Sequence, residues 1–383
     1  MPTRHYKGIT WDHPRGYNAL AASASLDLPE GFSIEWDKHP LEGFESHPIE
    51  DLAERYDLIV LDHPHVGEGV RSGALTPLDG LFDAAQCALF ANRSIGASYA
   101  SYAYAGHQWA LPLDAATQVQ AYRAELLDGV PPASWDAVQA LAERAPVALS
   151  LAGPHAFLSF CSIAVAFGEA PTSIDPERFL GEETARRVLE LMQRLYRSAP
   201  EHSRMLNPIG LLENMASTDD VALCPLVYGY VNYAAAQPAP RKSVSFADAP
   251  LAFAGGLRGS TLGGTGLAIS RRCEADANLL AYLSELMSPG VQRTFIPAHD
   301  GQPSLREAWT DPAVNARWGN FYRDTARTLE TAWVRPRYDG FIAFQSKASA
   351  VLREALAERE APATTLERIQ TLFHASRKPG AEN

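Results

Sequence analysis

Cysteine is scarce in this chain, and long apolar runs are missing. The 383 residues include four widely separated cysteines, Cys87, Cys161, Cys224 and Cys273. No CxxC pair and no Cys/His zinc spacing occurs, so we expect reduced and mostly buried thiols. The longest apolar runs fall short of the roughly 20 residues that span a bilayer, which predicts no membrane insertion.

Positive charge is also in short supply. Lys and Arg number 33 against 45 Asp and Glu, for a net charge of -12. Phosphate binding is built from clustered Lys and Arg, so we expect no nucleic-acid partner. Hydrophobic residues make up 46% of the chain and charged residues 20%, which is typical of a folded protein. The length suggests two or three domains.

No export signal is apparent at the start of the chain. Arg4 and Lys7 are basic, but residues 9–16 contain no apolar segment of the kind that follows such residues in a secretory signal. We therefore expect a cytoplasmic protein. The alternative is a periplasmic protein whose export signal has been removed.

Several catalytic signatures are missing as well. The sequence has no GxSxG nucleophile elbow, no HExxH zinc motif and no nucleophilic cysteine signature. The glycine-rich residues 263–266 lack a following Lys-Ser/Thr pair, and they lead into a predicted strand where a phosphate loop needs a helix. They are better interpreted as a hinge or close-approach loop. We expect no cofactor.

Three short strand-like segments occupy the first quarter of the chain, at residues 8–11, 32–36 and 56–61. Their alternation with helical sequence predicts an α/β fold with a parallel sheet. Ligands of open parallel sheets bind beyond the carboxyl ends of the strands. Residues 12–16 and 62–67 follow two of these strands and are rich in His, Pro and Gly, which makes them the first candidates for a site.

Further elements are predicted in the middle of the chain. Residues 182–198 form the clearest amphipathic helix, and residues 315–331 form another helix. Residues 147–151 are predicted to be a strand. Asp175 is predicted to cap a helix whose first residue is Pro176.

The histidine-rich loops allow two interpretations. His13, His63 and His65 are suitable metal ligands, and Asp12 and Asp62 lie beside them. An HxH spacing is a weak signal, however. Alternatively, His63 and His65 bracket a proline in a rigid turn and hydrogen-bond to a ligand or to the backbone. We favour this second interpretation and predict no metal.

Aromatic and arginine side chains accompany these loops. Trp11 and Tyr228 lie near predicted strand ends, and Arg15, Arg335 and Arg337 lie beside aromatic residues. Aromatic faces stack on sugars or flat rings, and guanidinium groups clamp carboxylates or hydroxyl pairs. Many aromatic side chains simply complete the core, and the two arginines around Pro336 are equally typical of a surface ion pair.

Several motifs follow one another in a familiar order. They are GALTPLD at 73–79, LPLDAATQ at 111–118, PASWD at 132–136, GGTGLAIS at 263–270, GQP at 301–303 and WVRPRY at 333–338. This order resembles the extracellular solute-binding proteins of family 1, the sugar-type receptors of ABC importers. The resemblance covers nearly the whole chain.

The resemblance implies a two-lobed, periplasmic-binding-protein-like α/β fold with a ligand cleft between the lobes. Lobe 1 would comprise residues 1–112 and 255–312, and lobe 2 residues 113–254 and 313–383. The lobes would close over the ligand by hinge motion. By position, the resemblance places ten residues at the cleft: Trp11, His13, Arg15, His63, His65, Asp114, Tyr228, Gly264, Thr265 and Arg335.

Two functions are therefore in competition. The first is a solute-binding protein that captures a small polar ligand, sugar-like or carboxylate-bearing, with an ABC permease as the implied partner. The second is a cytoplasmic enzyme, or a protein that sequesters a metabolite, built on the same fold. In that case the His and Asp side chains at the cleft would perform acid–base chemistry. Fold alone does not decide between them.

Overall fold

A computed structural model describes residues 4–26, 28, 30–127 and 129–377. Its strands, in chain order, are β1 Arg4–Trp11, β2 Phe32–His39, β3 Leu58–Leu61, β4 Leu75–Thr76, β5 Ala103–Tyr104, β6 His107–Gln108, β7 Ala110–Tyr122, β8 Leu223–Tyr228, β9 Ser245–Ala247 and β10 Leu262–Ser270.

Helices surround these strands. They are α1 Pro14–Ala22, α2 Leu41–Ser46, α3 Ile49–Ala53, α4 Val66–Arg71, α5 Ala84–Arg93, α6 Trp135–Ala142, α7 His155–Ala166, α8 Glu182–Ser198, α9 Pro208–Ser217, α10 Ala277–Leu286, α11 Ile296–Ala298, α12 Arg306–Thr310, α13 Pro312–Arg317, α14 Phe321–Glu330, α15 Phe341–Glu358 and α16 Pro362–Ser376. Short 3-10 turns join several of them, including His63–His65 between β3 and α4.

The main sheet is mixed, with the strand order β2-β1-β3-β10-β7-β8. The parallel pairing predicted from the sequence holds for β1 with β2 and for β1 with β3. It fails at β10, which runs antiparallel to β3 and pairs Gly266 with Leu61. The reason is that β10 begins at the edge of the sheet where β3 ends, so the chain needs no crossover to pair there.

The long strand β7 connects the two parts of this sheet. Its first part, from Ala110 to Thr117, pairs with β10, and its second part, from Gln118 to Tyr122, pairs with β8 and β9. The predicted lobe boundary between residues 112 and 113 falls inside this strand. The strand therefore passes from one part of the sheet to the other without a break.

The hydrophobic core is divided into separate clusters. One large cluster lies entirely within residues 127–252 and 338–373, where α7, α8, α15 and α16 pack together. Another large cluster combines α1, β1 and β3 with parts of β7, α9 and α14. The lobe assignment itself stays a prediction.

Three local predictions are wrong. Residues 147–151 are buried but form only one bridge, Val147 to Leu223, because the chain turns towards α7 directly afterwards. Asp175 caps a single turn, where its carboxylate accepts from the backbone N–H of Glu177, and no helix follows. The helix expected over residues 315–331 is two helices, α13 and α14, because Gly319 and Asn320 both adopt positive φ angles.

The four cysteines are free thiols, and two of them, Cys161 and Cys224, are buried. Across the described ranges, no helix combines the length and the apolar character that a membrane crossing requires.

Gly259 provides a test of how closely the chain entering β10 packs on α7. A Cβ atom at this position would lie 1.9 Å from the Ser162 carbonyl oxygen and 2.2 Å from the Ala166 nitrogen. We expect Gly259→Ala to lower the free energy of unfolding by about 1–3 kcal/mol, because backbone atoms cannot move aside cheaply. The measurement is urea unfolding. The control is Gly80→Ala, since a Cβ there meets nothing within 4 Å. Equal midpoints for both variants would contradict the close approach.

Candidate ligand-binding cleft

The carboxyl ends of β1 and β3 and the start of β10 meet at one edge of the sheet. After β1, the imidazole of His13 caps α1, because its Nδ1 accepts from the Arg15 backbone N–H at 3.1 Å. After β3, Asp62 caps the turn His63–His65 by accepting from the His63 backbone N–H at 2.9 Å. These caps fix the two loops that the sequence singled out.

A narrow cleft with a cavity volume of about 70 Å³ opens between these loops and the elements that face them. Seven of the ten predicted residues line it: Trp11, Arg15, His65, Tyr228, Gly264, Thr265 and Arg335. The remaining three, His13, His63 and Asp114, lie behind its walls, where they contact Trp11, Asp62 and Arg15 respectively.

A much larger groove, of about 860 Å³, lies between α8 and α16 and shares no lining residue with the cleft. Its arginines are paired with neighbouring glutamates, Arg178 with Glu182 and Arg186 with Glu183 and Glu190. The size of a cavity therefore does not identify the site. The convergence of polar groups at the carboxyl ends of the strands identifies the smaller cleft as the candidate site.

One wall of the cleft is built on a buried ion pair. Arg15 donates from Nε and Nη2 to the two carboxylate oxygens of Asp114, at 2.9 and 2.5 Å, and from Nη1 to the Gly229 carbonyl at 3.0 Å. Both side chains of the pair are 5% exposed. The guanidinium also lies 4.8 Å from the centre of the Tyr230 ring. All three nitrogens of the Arg15 guanidinium thus donate hydrogen bonds within the protein.

A second ion pair lies in another part of the cleft wall. Arg335 donates to Asp62 at 2.5 Å and to the Gln345 side-chain oxygen at 3.2 Å. Burial alone would raise the pKa of Asp62, but the Arg335 guanidinium and the hydrogen bond from His63 hold it well below its usual range. Asp62 is therefore a carboxylate at neutral pH.

Two of the predicted histidines are kept neutral by their surroundings. Burial, helped by the adjacent Arg15 charge, lowers the pKa of His13 to about 3, and its ring stacks on Trp11 at 5.1 Å. Burial and the Arg335 charge lower the pKa of His63 to about 4. His63 is fully buried. Neither imidazole lines the cleft.

Sequence reasoning missed several residues of the cleft. They are Leu41, Phe44, Glu45, Asp62, Pro154, His155, Leu158, Tyr230, Gly263, Ile342 and Gln345. Asp62 and Tyr230 had been noticed as neighbours of candidate residues without being assigned to the site. The others come mostly from α2, α7 and α15, whose sequences show only ordinary helical patterns.

Five polar atoms on cleft residues are buried and have no hydrogen-bond partner within the described part of the protein. They are Trp11 Nε1, His65 Nδ1, His155 Nδ1, Thr265 Oγ1 and the Nε of Arg335. Burial also raises the pKa of the Tyr228 and Tyr230 phenols above the usual value, so both remain neutral. The cleft thus combines aromatic surface with neutral donors and acceptors.

Among the described residues, Glu45 is the charged residue of the cleft lining whose carboxylate forms no ion pair with an arginine. Within the described part of the chain, the basic group within 4 Å of its carboxylate is His155, whose Nε2 lies 3.6 Å from Oε1. Both arginines of the cleft already face an aspartate. No three His, Cys, Asp or Glu side chains among the described residues are grouped so that they could hold a metal ion.

Comparison with known families identifies the class of protein to which this chain belongs. Residues 50–321 match the family model described as bacterial extracellular solute-binding protein. The chain therefore belongs to this family, which confirms the resemblance stated from the sequence. The match supports solute capture over the enzyme alternative. A search of curated proteins finds no significant match.

Solved structures agree on the fold. An ABC transporter solute-binding protein from Agrobacterium radiobacter K84, in complex with ribitol, has a TM-score of 0.79 at 19% identity, covering 97% of this chain and 98% of its own. Maltose-bound MalE3 from T. maritima gives 0.80 at 16% identity, with 97% and 99% covered. A solute-binding protein from Thermotoga lettingae TMO, bound with α-D-tagatose, gives 0.76 at 15%, with 97% and 100% covered. The two-lobed α/β fold is thereby confirmed.

The family description also bears on location. Its members are described as extracellular. This gives the cytoplasmic expectation no support and is consistent with the periplasmic alternative.

The buried His13 predicts a pH dependence of stability. Its pKa is about 3 in the folded protein, against 6.5 as the ordinary value. Below pH 6.5 the unfolded chain takes up a proton that the folded protein excludes, so stability falls as the pH is lowered towards 3. We expect His13→Asn, which keeps a capping acceptor, to flatten this slope by up to about 1.4 kcal/mol per pH unit. The measurement is urea unfolding at pH 7, 6 and 5; identical slopes for variant and wild type would contradict it.

Proposed function

We propose that this solute-binding protein captures a small, uncharged, polyhydroxylated ligand, a monosaccharide or polyol, in the cleft. The observation that carries the proposal is the neutralisation of both arginines: Arg15 faces Asp114 and Arg335 faces Asp62. A ligand carboxylate would find both guanidinium groups of the cleft already paired with an aspartate, and it would meet the Glu45 carboxylate there. Hydroxyl groups can instead exchange hydrogen bonds with the paired charges and with neutral donors.

The walls of the cleft support a sugar or polyol ligand. The cavity of about 70 Å³ is smaller than a monosaccharide, so the walls must move apart to admit any such ligand. The aromatic rings of Trp11, Phe44, Tyr228 and Tyr230 give the ring face or carbon chain of a sugar an apolar surface. Widening and closing of the cleft by hinge motion would admit and retain such a ligand.

The similar structures support a proposal about the partner and the location. Two of them are described as ABC transporter solute-binding proteins, and we infer that this chain likewise delivers its ligand to an ABC permease on the outer side of the membrane. The seven predicted residues that line the cleft, and the division into lobes at residues 112/113, 254/255 and 312/313, belong to this same proposal.

Isothermal titration calorimetry tests the ligand class. The panel pairs neutral ligands, ribitol, D-tagatose and maltose, with carboxylate-bearing analogues such as ribonate. We expect binding of a small neutral member and none of its anionic counterpart. Tight binding of a carboxylate, with no neutral ligand bound, would refute the proposed ligand class and favour the carboxylate-bearing alternative.

Thr265 provides a local test of the same site. Its hydroxyl lines the cleft and has no partner within the protein. We expect Thr265→Val, which keeps the shape and removes the hydroxyl, to weaken binding of the neutral ligand by roughly 1 kcal/mol, or about fivefold. The matched control is Thr294→Val, because the Thr294 hydroxyl is exposed and donates to the Gly290 carbonyl away from the cleft. Equal affinities of the two variants would remove Thr265 from the site.

A further inference from the structure

A short segment, residues 333–339, lies across the turn that follows β3. We call it the strap. At one end the strap is fixed to the start of β10, where Trp333 donates to the Ser260 carbonyl at 2.8 Å and accepts from the Leu262 N–H at 2.8 Å. At the other end the chain passes through Gly340, at φ 109°, directly into α15. The strap is therefore held at both ends.

Between these ends the strap contacts the turn and α4 at three places. The first is the ion pair of Arg335 with Asp62 inside the cleft. The second is an ion pair outside the cleft, between Arg71 Nη1 and Asp339 Oδ2 at 2.6 Å. The third is a backbone contact at Gly67. Only the first of these places lines the cleft.

The contact at Gly67 leaves no space for a side chain. A Cβ atom there would lie 1.7 Å from the Arg337 carbonyl oxygen and 3.0 Å from the Asp339 nitrogen. These are backbone atoms, which cannot swing away as the tip of a side chain can. The strap therefore rests directly on the backbone of α4.

Proline stiffens the strap between its contacts. Pro336 fixes its own φ angle and holds the preceding Arg335 in an extended conformation. The side chain of Arg337 also donates back to the Arg335 carbonyl at 3.4 Å. A displacement of Arg337 and Asp339 from α4 would consequently be transmitted to Arg335. Arg335 precedes Arg337 by two residues and contacts Asp62.

We propose that Gly67, Arg71 and Asp339 are positioning residues for the ligand cleft. They hold the strap on α4, they thereby hold Arg335 against Asp62, and they set how readily this side of the cleft opens. None of the three lines the cleft. The part of this inference that concerns ligand affinity rests on the function proposed above, whereas the part that concerns opening does not.

Hydrogen exchange measured by mass spectrometry tests the opening. In Gly67→Ala the new methyl group acts as a wedge, and we expect amide exchange in residues 333–339 to become roughly tenfold faster. The matched control is Gly69→Ala in the same helix, where a Cβ meets the flexible end of Leu75 at 2.7 Å. The control should leave exchange in the strap unchanged. Equal exchange in both variants would overturn the proposal.

The ion pair provides a second route if Gly67→Ala does not fold. We expect Arg71→Gln to accelerate exchange in the strap by about threefold, a modest effect because the pair is partly exposed. Arg71→Lys keeps the charge and should restore exchange close to that of the wild type. Wild-type exchange in Arg71→Gln would count against the inference, as would failure of Arg71→Lys to restore it.

Calorimetry with ribitol, D-tagatose and maltose completes the test. If one of them binds the wild type, its affinity should fall at least threefold in Gly67→Ala and not in Gly69→Ala, because the wedge displaces Arg335, which lines the cleft and pairs with Asp62. Faster exchange with unchanged affinity would overturn the positioning role. If none of the three binds the wild type, the proposed ligand class has failed for these probes, and the exchange data alone decide whether the strap controls opening.

Discussion

The buried ion pair between Arg15 and Asp114 determines how the walls of the cleft are joined. Asp114 lies in β7, the strand that connects the two parts of the sheet. Arg15 holds both oxygens of this carboxylate and also the Gly229 carbonyl after β8. With both side chains 5% exposed, removal of either partner would leave a buried charge, which typically costs several kcal/mol. The start of α1, the crossing strand and the end of β8 are thus held at one point.

Such pairs contribute orientation more than stability, because desolvation offsets most of the attraction between the charges. In this protein the two pairs also decide the charge of the cleft. Arg15 and Arg335 keep their planar donors in fixed directions, while Asp114 and Asp62 cancel their charge. An arginine in a cleft is therefore no evidence for an anionic ligand until its partners are known. The sequence alone left this point open, since it allowed both sugar-like and carboxylate-bearing ligands.

The sequence predicted where the site lies better than it predicted which residues form it. Residues 12–16 and 62–67 were identified because a local rule places ligands at the carboxyl ends of strands, and both loops do supply cleft walls. The partners of the arginines lie 99 and 273 residues away, and no local pattern encodes such pairings. Glu45, His155 and Gln345 reach the cleft only through tertiary packing of their helices. His13 was predicted to line the cleft, but capping of α1 turns its Nδ1 towards the backbone.

Asp62 shows how closely the turn, the strap and the cleft depend on one another. Its Oδ1 accepts from the His63 backbone N–H and its Oδ2 accepts from Arg335. A ligand hydroxyl that donates to Asp62, or accepts from Arg335, would compete with the contact that holds the inner part of the strap. Binding and movement of the strap would then be coupled through exchange of one hydrogen bond for another. Such coupling is reciprocal: if the ligand binds the protein with the strap displaced more weakly by a given factor, the bound ligand shifts the strap towards its undisplaced position by the same factor.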